Sequence, residues 1–295
     1  MIFKRKVYDK LIEWKTLAAG TSAVLLEGAR RIGKSTIVEE FAKKEYDDYM
    51  ILDFARENQD VKNNFVENMN DLDTFFRNLF LLKGKRLKGK NCVIIFDEVQ
   101  LFPQARQAIK YLVADGRYEY IETGSLISIR KNVKDILIPS EEYRIKMYPM
   151  DFEEFLMAAG ETDLCDLLHQ PDWEILKILS LKYIDLLRQY YYVGGMPEVM
   201  DCFFQHQNLQ EVRDKQAEIL DAYRRDISKH TTPTESIRIG QVLQSLPSQL
   251  AKENKKFIYN VLKKGARATE YELAIQWLMD AGLVHKVSRI KELQM

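Results

Sequence analysis

No run of this sequence stays apolar for the ~18–20 residues that a membrane helix requires. The opening MIFKRKVYDKLIEW is charged throughout and lacks the apolar centre of a signal peptide. Cysteine is scarce: Cys92, Cys165 and Cys202 stand far apart and form no CxxC pair. A disulfide framework and a cysteine zinc site are therefore not expected, and a reducing cytoplasm fits best. Cys202 and His206 are spaced i, i+4 on an expected helix, but two ligands do not make a structural zinc site. Charge of one sign is also missing. Lys plus Arg number 44 and Asp plus Glu number 44. Global charge thus gives no pull toward nucleic acid or an anionic membrane, and any such surface must be local. There is no internal repeat and no low-complexity segment.

What is present suits a soluble protein of 295 residues, 46% hydrophobic and 30% charged. That length holds a full α/β domain plus one or two smaller modules at ~100–200 residues per domain. The first half alternates short apolar runs with helical patterns, the signature of a parallel sheet with helices on both faces. Strands are expected at residues 23–27, 49–55, 91–99, 118–123 and 143–148, with helices at 34–44, 71–83 and 104–115. Residues 82–90 read as a basic, solvated turn. After Pro149 the pattern becomes helical to about residue 264, with long helices at 173–192 and 208–227. Gly194, Gly195 and Pro197 punctuate the gap between those two. Helices follow at 257–263 and 269–281, then Gly282 as a cap and a strand at 283–288. The expected domains are 1–150, 151–250 and 251–295.

The sequence Gly28-Ala29-Arg30-Arg31-Ile32-Gly33-Lys34-Ser35-Thr36 fits G-x-x-x-x-G-K-[ST]. It follows an expected strand and opens an expected helix. The spacing has a physical reason. The two glycines let backbone N–H groups turn inward around phosphates, and the helix N-terminus adds partial positive charge. Lys34 would reach the β- and γ-phosphates, and the Ser35 hydroxyl would ligate Mg²⁺. A second element, Val93-Ile94-Ile95-Phe96-Asp97-Glu98, is an apolar strand ending in two acids. Asp97 would hold Mg²⁺, and Glu98 would polarise the water that attacks the γ-phosphate. The third element is Glu122-Thr123-Gly124-Ser125 at the next strand end. Thr123 or Ser125 would sense the γ-phosphate, although a TGS turn is also ordinary strand-end chemistry. The adjacent acid pair favours ATP over the substrates of GTPases and nucleotide kinases.

At these residues the chain resembles the bacterial and archaeal AAA-type ATPases that usually carry a C-terminal domain of unknown function related to restriction endonucleases. The resemblance runs through LIEWK, LLEGARRIGKST, IIFDEVQLFPQARQAIKYLVADGRYEYIETGSLIS, YRIKMYPMDFEEFL, YYVGGMPEVM, YRRDISKH and SLPSQLAKENKKF. It implies a catalytic P-loop domain with an extra strand between the P-loop strand and the Mg²⁺ strand. Gly195 and Pro197 are similar to the GxP motif of signal-transducing ATPases with numerous domains. That likeness implies that they, with Gly194, lie near the adenine or phosphates; a plain helix break is the other reading. Family members typically continue well beyond the position of Met295, where any nuclease-like site would lie. An arginine finger is also implied. Arg130, Arg144, Arg224 and Arg225 are candidates, each equally readable as a surface ion-pair residue.

Residues 255–288 read helix, turn, helix, strand, which resembles a winged helix. Lys252, Lys255, Lys256, Lys263, Lys264 and Arg267 face only Glu253 in this stretch, an excess that would neutralise phosphates of double-stranded DNA. A packing or lid module is the alternative. The sequence thus predicts a P-loop sheet, a helical domain and a C-terminal winged helix, with ATP or ADP and Mg²⁺ as ligands. An ATP-hydrolysing conformational switch is the first reading of function. The second is a nucleotide-binding adaptor with negligible turnover, acting through DNA or a protein partner; a protein partner or homo-oligomer is expected on either reading. No membrane partner is expected.

Overall fold

The computed structural model describes residues 1–125, 139–254 and 256–288. Its strands are β1 (Ala23–Gly28), β2 (Asp48–Asp53), β3 (Cys92–Asp97), β4 (Glu119–Ser125) and β5 (Glu142–Met147). All pair in parallel, in the order β2-β3-β4-β1-β5. β4 therefore separates β1 from β3. Every residue of β1 and β3 is buried, as expected of central parallel strands covered on both faces. On β5, an edge strand, only Ile145 and Met147 are buried.

The helices α1 (Lys6–Leu17), α2 (Lys34–Glu45), α3 (Gln59–Glu67), α4 (Leu72–Lys83) and α5 (Pro103–Asp115) cover the sheet. Phe65 of α3, Phe75 and Leu79 of α4, and Ile109 and Leu112 of α5 share one core with Leu25, Leu52, Ile94 and Phe96 of the strands. α2 lies against β1, β2, β3 and β4, and α1 against α2 and β5. Local chemistry sets the helix ends. The Asn58 side chain accepts from Val61 N (2.9 Å) and opens α3. Asp71 accepts from Thr74 N (3.2 Å) and opens α4. Phe54, Phe65, Phe96 and Phe102 meet with ring centroids 5.3–5.8 Å apart. Such aromatic pairs contribute ~0.5–1.5 kcal/mol each beyond their buried area. They clamp the carboxyl end of β3 one residue before Asp97.

α1 and α3 were not expected from sequence. Val7, Leu11 and Trp14 do follow helical spacing and are buried, but dense charge around them masks the pattern. α6 (Phe152–Ala158), α7 (Thr162–His169), α8 (Trp173–Ile178), α9 (Ser180–Val193) and α10 (Pro197–His206) complete this part of the chain. The single helix expected over 173–192 is two helices, α8 and α9, parted at Leu179 (φ −85°, ψ 3°).

The chain separates into two units, Met1–Gln207 and Asn208–Met295. The expected boundaries at 150 and 250 fall inside them. The second unit holds α11 (Leu209–His230), α12 (Pro233–Leu250) and α13 (Ala268–Asp280) around Ile227, Ile239, Val242, Tyr271, Ala274 and Leu278. Two expectations fail here. The helix at 257–263 is only a 3₁₀ turn, Tyr259–Val261. The strand at 283–288 does not form, so the described residues contain no wing. Gly282 (φ 71°) does end α13, with Gly282 N donating to Met279 O and Leu283 N to Leu278 O, both 3.0 Å. The next residues include Val284 and Val287, but no described strand of this unit offers a ladder, and an unpaired strand is not stable alone. Lys252, Lys256, Lys263, Lys264 and Arg267 are exposed; Lys255 lies outside the described residues. Among the described residues, no helix is long and apolar enough to cross a membrane.

A candidate phosphate-loop site at the carboxyl ends of the central strands

Parallel register brings the ends of three strands together. Gly28 of β1 lies beside Ser125 of β4 and Met147 of β5. Phe96 of β3 lies beside Glu122 of β4, so Asp97 and Thr123 follow as near neighbours. The loop from Ala29 to Gly33 leaves β1 here and turns into α2. Gly33 caps α2 with φ 88°, a left-handed conformation that glycine adopts without a Cβ penalty. A cavity of about 350 Å³ opens against Gly33, Lys34, Ser35, Thr36, Glu98 and Pro197, within the range of small-ligand sites.

Asp97 is the meeting point. Ser35 Oγ donates to Asp97 Oδ1 at 2.8 Å. The Thr123 hydroxyl donates to the same oxygen and accepts from Glu98 N at 3.2 Å. Lys34 is buried and donates to Ala29 O (2.7 Å) and Gly28 O (3.3 Å). Burial pushes its ammonium down to about 8, opposed by the nearby Glu98 and Asp97 carboxylates. The Gln100 side chain donates to Glu98 Oε2. Ser125, at the tip of β4, is buried beside Gly28. Glu122, on the opposite side of β4 from Thr123, is fully buried, and burial with Glu142 nearby holds its carboxyl well above the usual range.

Among the described residues, three that are not glycine have positive φ: Arg31 (62°), Glu98 (53°) and Gln207. Two of the three border this cavity. The left-handed region costs an ordinary residue ~1–2 kcal/mol. Held strain of this kind gathers at functional sites.

The rest of the expected set falls as follows. Ala29 and Ile32 are buried within the loop, Arg30 is half-buried, and Arg31 is exposed at its apex. Gly195 is pressed against the chain after β5: Met150 N donates to Gly195 O (2.7 Å), and a Cβ there would stand 2.1 Å from Met150 O. Pro197 Cγ lies 3.7 Å from the place of a Cβ on Gly33, so the loop and the start of α10 touch. Among the arginine candidates, Arg144 binds Glu142 (3.2 Å) and Arg224 binds Asp221 (2.7 Å) within the second unit. Arg225 is exposed on α11, and Arg130 lies outside the described residues.

Sequence reasoning missed Arg5 and Glu198. Arg5 is buried; it donates to Ile32 O (2.9 Å), Tyr148 O (2.7 Å) and Glu154 Oε1 (3.1 Å), and so ties the loop to the start of α6. In sequence it sits within a charged run, FKRK, that reads as solvated. Glu198 approaches the loop across a long sequence separation, which no local pattern signals.

Residues 20–156 match the family described as an AAA domain, and residues 184–295 match a domain of unknown function, DUF8612. The Walker-type ATPase of Pyrococcus abyssi has a similar structure: TM-score 0.53, 13% identity, with 95% of this chain and 90% of that one covered. At that identity the likeness concerns the fold alone. AMPPCP-bound DnaA from Aquifex aeolicus aligns over the same shares at 11% identity, but its TM-score of 0.35 is too low to carry an argument. The comparison with curated proteins gave no match.

Proposed function

We propose that this chain, whose residues 20–156 match the AAA domain family, acts as a P-loop ATPase: it binds ATP with Mg²⁺, hydrolyses it, and uses nucleotide state to rearrange the helices that follow the sheet. One observation carries the reading: hydroxyls from α2 and β4 converge on the Asp97 carboxylate, and one of them also holds the backbone of Glu98.

The donor set fits a hard cation. Ser35 Oγ and Asp97 Oδ1 are oxygen ligands 2.8 Å apart, the chemistry that magnesium sites use. Ser35 and Asp97 would hold the ion, which when bound supplies charge neutralisation at the phosphates. The loop amides from Gly28 to Thr36 wrap the phosphates, and Lys34 leaves its two carbonyls to meet the β- and γ-oxygens. Glu98 orients the attacking water and accepts its proton. Thr123 keeps Asp97 and Glu98 in register, so the tip of β4 responds to what the two acids bind. Ser125 senses the γ-phosphate beside it. Gly195 and Pro197 carry the change in the loop to α10. Partners beyond the nucleotide are double-stranded DNA at the exposed Lys263, Lys264 and Arg267, a protein partner, or a second copy.

A second reading, an adaptor that holds nucleotide with negligible turnover, is favoured by the contact from Gln100 to the Glu98 carboxylate. Glu98→Gln separates the two. On the first reading the variant keeps ATP binding and loses turnover by ~10²–10⁴-fold, the usual weight of a general base. Turnover at the wild-type rate would remove Glu98 from the mechanism and favour the adaptor.

A further inference from the structure

Arg31 stands at the apex of the phosphate loop with φ 62°. Glycine adopts that conformation freely, and arginine does not. The conformation points to a use for the guanidinium. Its Nε lies 3.7 Å from Glu198 Oε1, and both side chains are partly exposed, at 33% and 43%. Glu198 is the second residue of α10, directly after the Pro197 ring that lies over Gly33. Both Arg31 and Glu198 border the cavity that also holds Lys34 and Ser35. The proline ring on Gly33 and this ion pair both join the loop to α10.

We propose that Glu198 holds the Arg31 guanidinium in reserve, and that the nucleotide phosphates take it over when ATP binds. The reading rests on ATP as the ligand of the cavity. Two physical facts favour the exchange. A long, partly exposed ion pair is weak and is screened by water. A guanidinium on a phosphate makes charge-assisted, often bidentate hydrogen bonds, which are stronger. Glu198 and the phosphates thus compete for one cation. When the phosphates win, the carboxylate is released and α10 loses this tie to the loop. The exchange gives the proposed switch a defined contact that changes, in the same unit as the P-loop.

The test is a double-mutant cycle read by titration with a fluorescent ATP analogue in Mg²⁺. Arg31→Gly should weaken binding about tenfold or more. It should also raise the melting temperature, because glycine removes the strain at φ 62°. Lower affinity with higher stability is not what a purely structural arginine would give. Glu198→Gln should tighten binding about threefold by removing the competitor. That gain must vanish in the Arg31→Gly background. In hydrogen exchange, the Val199 and Met200 amides of nucleotide-free Glu198→Gln should exchange as fast as those of the ATP-loaded wild type. Wild-type affinity in Arg31→Gly, or a Glu198→Gln gain that persists without Arg31, would overturn the exchange. If instead the wild type and Lys34→Ala bind the analogue equally, the ATP reading itself falls.

Discussion

In the unit formed by Asn208–Met295, the buried Ser245 and Gln249 side chains serve nearby backbone and each other. Ser245 Oγ donates to Val242 O (2.8 Å), Gln249 Nε2 donates to Ser245 Oγ (3.0 Å), and Gln249 Oε1 accepts from Ile258 N (2.6 Å). The chain closes its own ends there, as buried polar groups in most folds do. In the unit Met1–Gln207 the pattern differs. The hydroxyls of Ser35 and the buried Thr123, on separate elements, converge on the buried Asp97 carboxylate, with the buried Lys34 next to Ser35 against a cavity. Two strained residues border the same cavity. Polar burial that only satisfies backbone marks structure. Burial that gathers charge from distant elements and leaves room beside it marks a site.

The largest effect should come from Lys34→Ala. It removes the buried cation and should weaken ATP binding by roughly 100-fold, the upper range for a lost hydrogen bond to a charged group. The melting temperature should change little, since the two carbonyls that Lys34 binds belong to its own loop. Titration with the fluorescent analogue measures the first, and thermal unfolding the second. A large loss of stability with intact binding would make Lys34 structural and erase the contrast.

Gln249→Ala tests the other half. It leaves the Ile258 amide and the Ser245 hydroxyl short of a partner and should cost about 1–3 kcal/mol. Denaturant unfolding reads that cost, and ATP affinity should stay at the wild-type value. A matched loss of ATP affinity would mean that this polar burial also serves the site.

The pH dependence sharpens the comparison further. Burial holds the Lys34 ammonium down to about 8 in the free protein, and bound phosphates favour its charged form. Affinity should therefore be flat below pH 8. Above it, binding must take up a proton, so affinity should fall by about tenfold per pH unit, or ~1.4 kcal/mol. Calorimetry in buffers of different ionisation enthalpy would detect the proton. Affinity that rises through pH 8–9 would contradict the sign.

The smallest effect concerns the second unit. If Lys263, Lys264 and Arg267 each meet one DNA phosphate, changing all three to Gln should flatten the salt slope of duplex binding by about three. Fluorescence anisotropy at several salt concentrations decides this. A slope unaffected by the triple change would leave this surface as ordinary solvated charge.

Local signals made much of this molecule legible. The central strands β1 and β3 are mainly apolar runs buried along their whole length, and the loop Gly28–Thr36 is specified by residues adjacent in sequence. Boundaries suffered where a local pattern has two outcomes. Residues 173–192 keep helical spacing through Leu179, yet the chain breaks there. Residues 283–288 have β-branched content, yet a strand forms only when a partner is present.

By itself the sequence determined the elements whose cause is local: period, caps, the glycine at Gly33, and the order of loop, acid pair and TGS turn. The tertiary structure alone decided that Thr123 stands between Asp97 and Glu98, because that follows from β4 entering the sheet between β1 and β3. It alone brought Arg5 to Ile32 and Glu198 to Arg31. Those contacts join residues far apart in the chain, and their energy depends on distance in space, which no spacing along the sequence encodes.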